Sequence, residues 1–306
     1  MAANRNPDRN STRNRRMELW KYRWKQYGVG YIFVLPWLLG FCAFMAFPLL
    51  TSFFMSFHKV SIGGGAFKFD WVGLLNYRNA FLKDNVFPVE LILYFQEMLL
   101  IIPIIVIFAL LVSLLLNQQF PLRFLFRGVF FLPVIFATGQ VLTELFAQGA
   151  GELPFLDQYQ LEPLIKQYVG PQLADPILSV LSRSIVILWY SGVQVIIFIA
   201  GLQTIPRAVY EAVWIDGASP WDSFWKITLP SMMPFISLCT LYTIVELFTY
   251  PLNPVIRHIS LNMFKADTGY GYANALAWSY FGFVIILIGL TMLFIQRSMR
   301  QRRDVR

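Results

Sequence analysis

Six stretches of this chain are too long and too apolar to sit comfortably in a water-soluble fold. The first, Tyr27 to Phe57, contains no Asp, Glu, Lys or Arg. Five more follow, at about 91–116, 128–147, 184–203, 231–255 and 273–296. Each is near the roughly 20 residues that a helix needs to cross about 30 Å of hydrocarbon. Strands of a membrane barrel would be shorter and alternating. Charged residues make up 14% of the chain, against about a quarter in soluble domains. The sequence therefore predicts an all-α polytopic membrane protein with six transmembrane helices.

The polar segments set the domain boundaries. Residues 1–26 form a basic N-terminal segment, 27–57 the first span, 58–90 an outer loop and 91–296 the span core. The tail, 297–306, is basic and suits a stop signal or anionic-lipid anchor. A signal peptide also starts basic, but its apolar region is about 7–15 residues, so the first span is retained. Pro36 and Pro48 predict a kink or tilt in it. The net charge of +8 does not point to nucleic acid, because the bases cluster beside spans. With the N-terminus in the cytoplasm, 17 of the 25 lysines and arginines fall on the inner side. That excess predicts both termini inside.

One polar interruption stands out, Thr204 to Pro230. Pro206 fits the first turn of a helix, where its missing amide costs nothing. Ala208, Ala212 and Ile215 then fall on one small apolar face. Gly217 supplies the backbone freedom that ends a helix. Ser219, Pro220, Trp221 and Asp222 read as N-cap, N1, N2 and N3 of a second helix, which Pro230 is expected to stop. On charge, the loop is cytoplasmic.

The order Glu211-Ala212-x-x-x-Asp216-Gly217-Ala218, then Ile227-Thr228-Leu229-Pro230, resembles the EAA loop of permease subunits of bacterial ABC importers. Val213 stands where the family has Ala. The resemblance implies a type I ABC importer permease fold for about 90–297. It also implies that the loop is a coupling helix docked on a cytoplasmic ATPase, with Tyr210, Glu211, Ala212, Asp216, Gly217 and Ala218 at the contact and Gly217 at the bend. It further implies a second, similar permease, two ATP-binding subunits and an extracytoplasmic binding protein. ATP and Mg belong to the partner ATPase, and no cofactor is expected on this chain. The segment Trp71 to Phe81 resembles the outer loop of the first permease of carbohydrate importers, so an oligosaccharide is the implied cargo. Read by itself, that segment is a short interfacial helix, after a turn at Gly63-Gly64-Gly65. Residues 148–183, with four prolines, predict short helices above the membrane that either receive a partner or cap the bundle.

Ionisable groups inside a membrane are costly and mark candidate sites. Glu97, Glu144 and Glu246 qualify. Glu97 and Glu144 either line a vestibule or snorkel to the interface. Glu246 lies deeper, and on one helix Tyr242, Thr249, Tyr250 and Asn253 would share its face. A carboxylate beside hydroxyls and aromatic rings suits a sugar, whose hydroxyls take hydrogen bonds and whose ring face stacks. Gln194 and Gln140 are either further pathway residues or helix–helix hydrogen bonds. Cys42 and Cys239 lie in apolar runs without a CxxC spacing and read as filler. The two histidines, His58 and His258, form no metal motif. There is no GxxxxGK[ST] phosphate loop. The competing reading is an ion-gradient-driven secondary transporter with the glutamates as ion sites. It predicts inverted repeats around the acids, and the sequence displays none.

Overall fold

A computed structural model describes residues 27–28, 30–63, 66–119, 121–136, 144, 161–170, 174, 177–178, 181, 184–265 and 269–303. The elements run α1 (Gly30–Ser56), β1 (His58–Gly63), β2 (Ala66–Trp71), α2 (Leu75–Leu82), α3 (Phe87–Asn117) and α4 (Arg123–Phe136). They continue with α5 (Leu161–Val169), α6 (Ser184–Tyr190), α7 (Gly192–Gln203), α8 (Arg207–Ile215), α9 (Pro220–Phe248), α10 (Pro254–Met263) and α11 (Gly269–Arg303). Among the described residues α1, α3, α9 and α11 are long and apolar enough to span a membrane. A fifth candidate is the pair α7–α8, bent by 64°. Run 128–147 is described as continuous helix to Phe136, with Glu144 helical beyond it, and run 184–203 breaks at Ser191 between α6 and α7. The described residues thus hold four or five candidate spans where six are expected.

The core has two apolar layers. Near the hairpin end, the first half of α3 packs with α6, the end of α9, α10 and α11 around Phe87, Ile105, Leu247, Phe248 and Leu276. Near the α8 end, the second half of α3 packs with α7 and the start of α9 around Ala109, Phe198, Met232 and Cys239. Lipid tails are as apolar as leucine, so close fit and interhelical hydrogen bonds, not water exclusion, hold such layers together. α1 stands apart, and its apolar window has no buried residue. Its last turns meet α11, where Trp278 Nε1 donates to Ser52 Oγ at 3.1 Å and Phe53 packs edge-on against Trp278.

Two prolines that might end helices do not. Phe47 N–H reaches back to Cys42 O across a π turn, Cys42–Ala46, and Pro48 follows. Leu229 N–H reaches back to Phe224 O across a second π turn, Phe224–Thr228, and Pro230 follows. Proline clashes with the carbonyl four residues back in a regular helix. A widened turn directly before it re-aims that carbonyl, and such bulges are a known way to absorb an interruption. Pro230 therefore continues α9 instead of stopping it.

α9 also ends earlier than the apolar run 231–255 implies. It stops at Phe248, and α10 begins at Pro254. Side chains from two other elements, and one from the junction itself, satisfy this buried break. Tyr94 donates to Leu247 O at 2.6 Å and Tyr280 to Phe248 O at 2.6 Å, which occupies carbonyls that a helix end leaves unpaired. Asn253 then caps α10 by accepting from Val255 N at 2.9 Å, while its amide donates to Tyr280 Oη at 2.7 Å.

The first loop adds a β-hairpin to the otherwise helical chain. β1 and β2 pair antiparallel with His58 opposite Trp71 and Gly63 opposite Ala66. α2 follows where a surface helix is expected, and it buries Asn76 and Ala80. Asn76 Nδ2 donates to Ser56 O and His58 O, fastening α2 to the end of α1.

Candidate functional site

Two places carry chemistry beyond packing. The first is the elbow from α7 through α8 to α9. Pro206 is the N-cap of α8, one position before the expected N1. At the other end Gly217 has φ +77°. Gly217 N bonds Trp214 O at 3.0 Å and Ala218 N bonds Val213 O at 3.1 Å. These are the paired bonds of a Schellman motif, which needs a left-handed residue at the position of Gly217. Ser219 then caps α9 as the sequence predicts. Its Oγ accepts from Asp222 N at 3.2 Å and donates to Asp222 Oδ2 at 2.5 Å. Lys226 Nζ donates to Asp222 Oδ1 at 2.7 Å. Tyr210 Oη and Thr228 Oγ1, 2.9 Å apart, clip α8 to α9.

The elbow is rigid, yet no residue of α8 is buried. Glu211, Ala212, Asp216 and Gly217 are exposed, and Tyr210 and Ala218 are half-buried. Trp214 is 64% exposed, Ile215 85% and Trp221 70%. Large apolar side chains gathered at a tight turn mark an interaction surface, because a water-facing turn gains nothing from them.

The second place lies between α7 and α9. Gln194 is fully buried, and its amide nitrogen donates to Thr243 Oγ1 and to Glu246 Oε2, both at 2.9 Å. Thr243 gives its own proton to Cys239 O at 2.8 Å, so it can only accept from Gln194. Tyr242 Oη donates weakly to Glu246 Oε1 at 3.5 Å. Glu246 is half-buried and Tyr242 exposed, so one side of the carboxylate is open.

The other pathway candidates separate. Thr249 is the C-cap of α9 and Asn253 the N-cap of α10, so neither continues the helical face of Glu246. Tyr250 is buried and packs edge-on against Tyr190, centroids 5.5 Å apart. Gln140 lies outside the described residues. Glu97 is half-buried on α3 and Glu144 is exposed. Thr243, which fixes how Gln194 is turned, escaped the sequence reading. A threonine one turn before Glu246 is the signal that could have found it. Among the described residues no group of three or more His, Cys, Asp or Glu is placed to hold a metal ion, and both cysteines are free.

No protein-family model matches the chain. Curated relatives do. The probable ABC transporter permease protein YesP of Bacillus subtilis is 29% identical over 289 residues, covering 88% of this chain and 89% of that protein. The arabinooligosaccharides transport system permease protein AraP of the same organism is 28% identical, covering 87% of this chain and 84% of its own. The trehalose/maltose transport system permease protein MalF of Thermococcus litoralis is 27% identical, covering 93% and 98%. Among solved structures, a bacterial ABC transporter involved in the import of the acidic polysaccharide alginate superposes with TM-score 0.58 at 19% identity. The match covers 92% of this chain and 99% of that one. The chain is a multi-pass membrane protein with the fold of an ABC importer permease, and along most of its length it resembles the permease subunits of sugar transporters.

Proposed function

We propose that this chain is one permease subunit of an ATP-driven, binding-protein-dependent oligosaccharide importer. It forms half of the translocation pathway and takes its power stroke through the elbow 204–230. The observation that carries the reading is the elbow itself, a capped and glycine-bent pair of helices that holds Trp214, Ile215 and Trp221 out from the span bundle. That shape suits a cleft on a second protein, and the excess of lysine and arginine on its side of the spans supports a cytoplasmic position for it and both termini. The sugar class comes from relatives such as the arabinooligosaccharide and trehalose/maltose permeases. In this reading the partners are a second permease, two ATPase subunits holding ATP and Mg, an extracytoplasmic binding protein and membrane lipid. Closure of the ATPase pair draws the elbows together and opens the pathway outward, where Glu246 and Tyr242 meet the cargo while the buried Gln194 holds Glu246 in position.

One observation favours the ion-driven alternative, the half-buried Glu246 between two helices. Reconstitution separates the two. The chain, its partner permease, the ATPase and the binding protein are placed in vesicles, and sugar uptake is followed. Uptake that needs ATP and the ATPase subunit supports the proposal. Uptake driven by an ion gradient with the ATPase left out would overturn it.

A further inference from the structure

We infer that this chain's share of the pathway is a charge filter, in which Glu246 admits neutral or amino glycans and turns away glycans bearing uronic acids. The inference rests on the proposed transport reading and narrows its substrate class. The six apolar runs contain Glu97, Glu144 and Glu246 but not one lysine or arginine. A carboxylate in a translocation pathway is commonly offset by a base. Here the partners of Glu246 are neutral, the Gln194 amide and the Tyr242 hydroxyl.

The arrangement also fixes which way the amide faces. Thr243 spends its only proton on Cys239 O, so Gln194 must present its NH2 group to Thr243. The second hydrogen of that group then goes to Glu246 Oε2. Among the described residues Gln194 Oε1 is left buried with no partner. Gln194 Oε1 is buried, so the cluster on the open side is Glu246 with the Tyr242 hydroxyl, and the carboxylate is what offers it acceptors. Hydroxyl and ammonium groups are what such a cluster binds. A sugar carboxylate brings only acceptors and a like charge. Like charges brought close in a site partly shielded from water repel, which sets the direction of the discrimination.

The test uses the complete reconstituted transporter and a matched trio: a neutral oligosaccharide, the same chain oxidised to uronic acids, and its amino-sugar counterpart. Affinity of the binding protein for each is measured separately and divided out. The wild type is expected to import the neutral and amino forms at least about tenfold better than the uronate. In E246Q that ratio is expected to fall toward one, and in E246D to return. A wild-type ratio near one overturns the filter whether or not the variants insert well. An unchanged ratio in a well-inserted E246Q also overturns it. In both cases ATP-dependent uptake of the neutral form would leave the transport reading standing. Loss of ATP-dependent uptake for all three sugars would remove both.

Discussion

Gln194 Nε2 stands 2.9 Å from Glu246 Oε2, and that contact fastens α7 to α9 between the two apolar layers of the core. Removing it with Gln194→Leu takes a donor from Glu246 and from Thr243 together. The loss is expected to be about 1–3 kcal/mol, because two partly or fully buried acceptors lose their partner. A double-mutant cycle with Glu246→Leu, read by thermal unfolding in detergent, is expected to give a coupling of roughly 0.5–2 kcal/mol. Additive effects would mean that the two side chains do not act on one another.

Gly217 faces a backbone demand and no steric one. A Cβ there would meet nothing within 4 Å, yet its φ is +77°. Gly217→Asn is therefore expected to be tolerated, since asparagine visits that region readily. Gly217→Val is expected to strain the turn by about 1–2 kcal/mol. The elbow lies outside the core, so insertion should survive while sugar imported per ATP hydrolysed falls. Equal coupling in the valine and asparagine variants would detach the turn from the power stroke.

The elbow was readable because its signals are local. Ser219, Pro220 and Gly217 each act within a few residues, and their positions came out as the spacing implies. The end of α9 was not readable, because the run 231–255 stays apolar through a helix break. Its cause is distant, in Tyr94 of α3 and Tyr280 of α11, which complete the buried carbonyls that the break frees. The hairpin was missed although His58–Gly63 and Ala66–Trp71 flank a glycine run with alternating residues, a pattern that favours strands. The sequence reading took only the turn at Gly63-Gly64-Gly65 from this stretch and assigned no strands to its flanks. Asp84 was invisible for a stronger reason, since two of its partners lie 174 and 188 residues away.

Asp84 ties three helices together on the hairpin side. Its Oδ1 accepts from Val86 N and Phe87 N at the start of α3. Its Oδ2 accepts from His258 Nε2 of α10 at 2.9 Å and Tyr272 Oη of α11 at 2.8 Å. Burial alone would push the carboxyl up. The hydrogen bonds from Phe87, His258, Tyr272 and Val86 outweigh it and hold the pKa at about 2. The unfolded value is about 3.9. The ionised group therefore stabilises the fold fully above that value, and the contribution is lost as pH falls from about 4 to about 2. Asp84→Asn is expected to lower Tm at neutral pH and to lie closer to wild type in acid. A gap in Tm that stays constant down to about pH 2 would remove Asp84 from the acid response.

Among the described glycines, Gly271 and Gly201 have the tightest surroundings, and they differ in what surrounds them. A Cβ on Gly271 would lie 2.0 Å from His58 O and 3.2 Å from Met55 O. Both obstacles are main-chain oxygens at the end of α1 and the start of β1, so neither can rotate away. A Cβ on Gly201 would meet Phe235 at 2.7 Å and Met232 at 2.9 Å. Those are side chains, and methionine is the more adaptable of the two. Gly201→Ala is thus an overpacking problem of about 1–3 kcal/mol. Gly271→Ala must instead move α11 away from the hairpin, breaking the Trp278–Ser52 and Asp84–Tyr272 bonds that depend on the same approach. The expected order is that Gly271→Ala lowers Tm and the yield of folded protein more than Gly201→Ala, and that enlarging Gly271 further to Val prevents assembly of the hairpin side. Protease accessibility of the hairpin, compared between the two alanine variants, reads the same displacement directly. If Gly271→Ala left the hairpin as protected as wild type, the seating of α11 against His58 described above would be wrong.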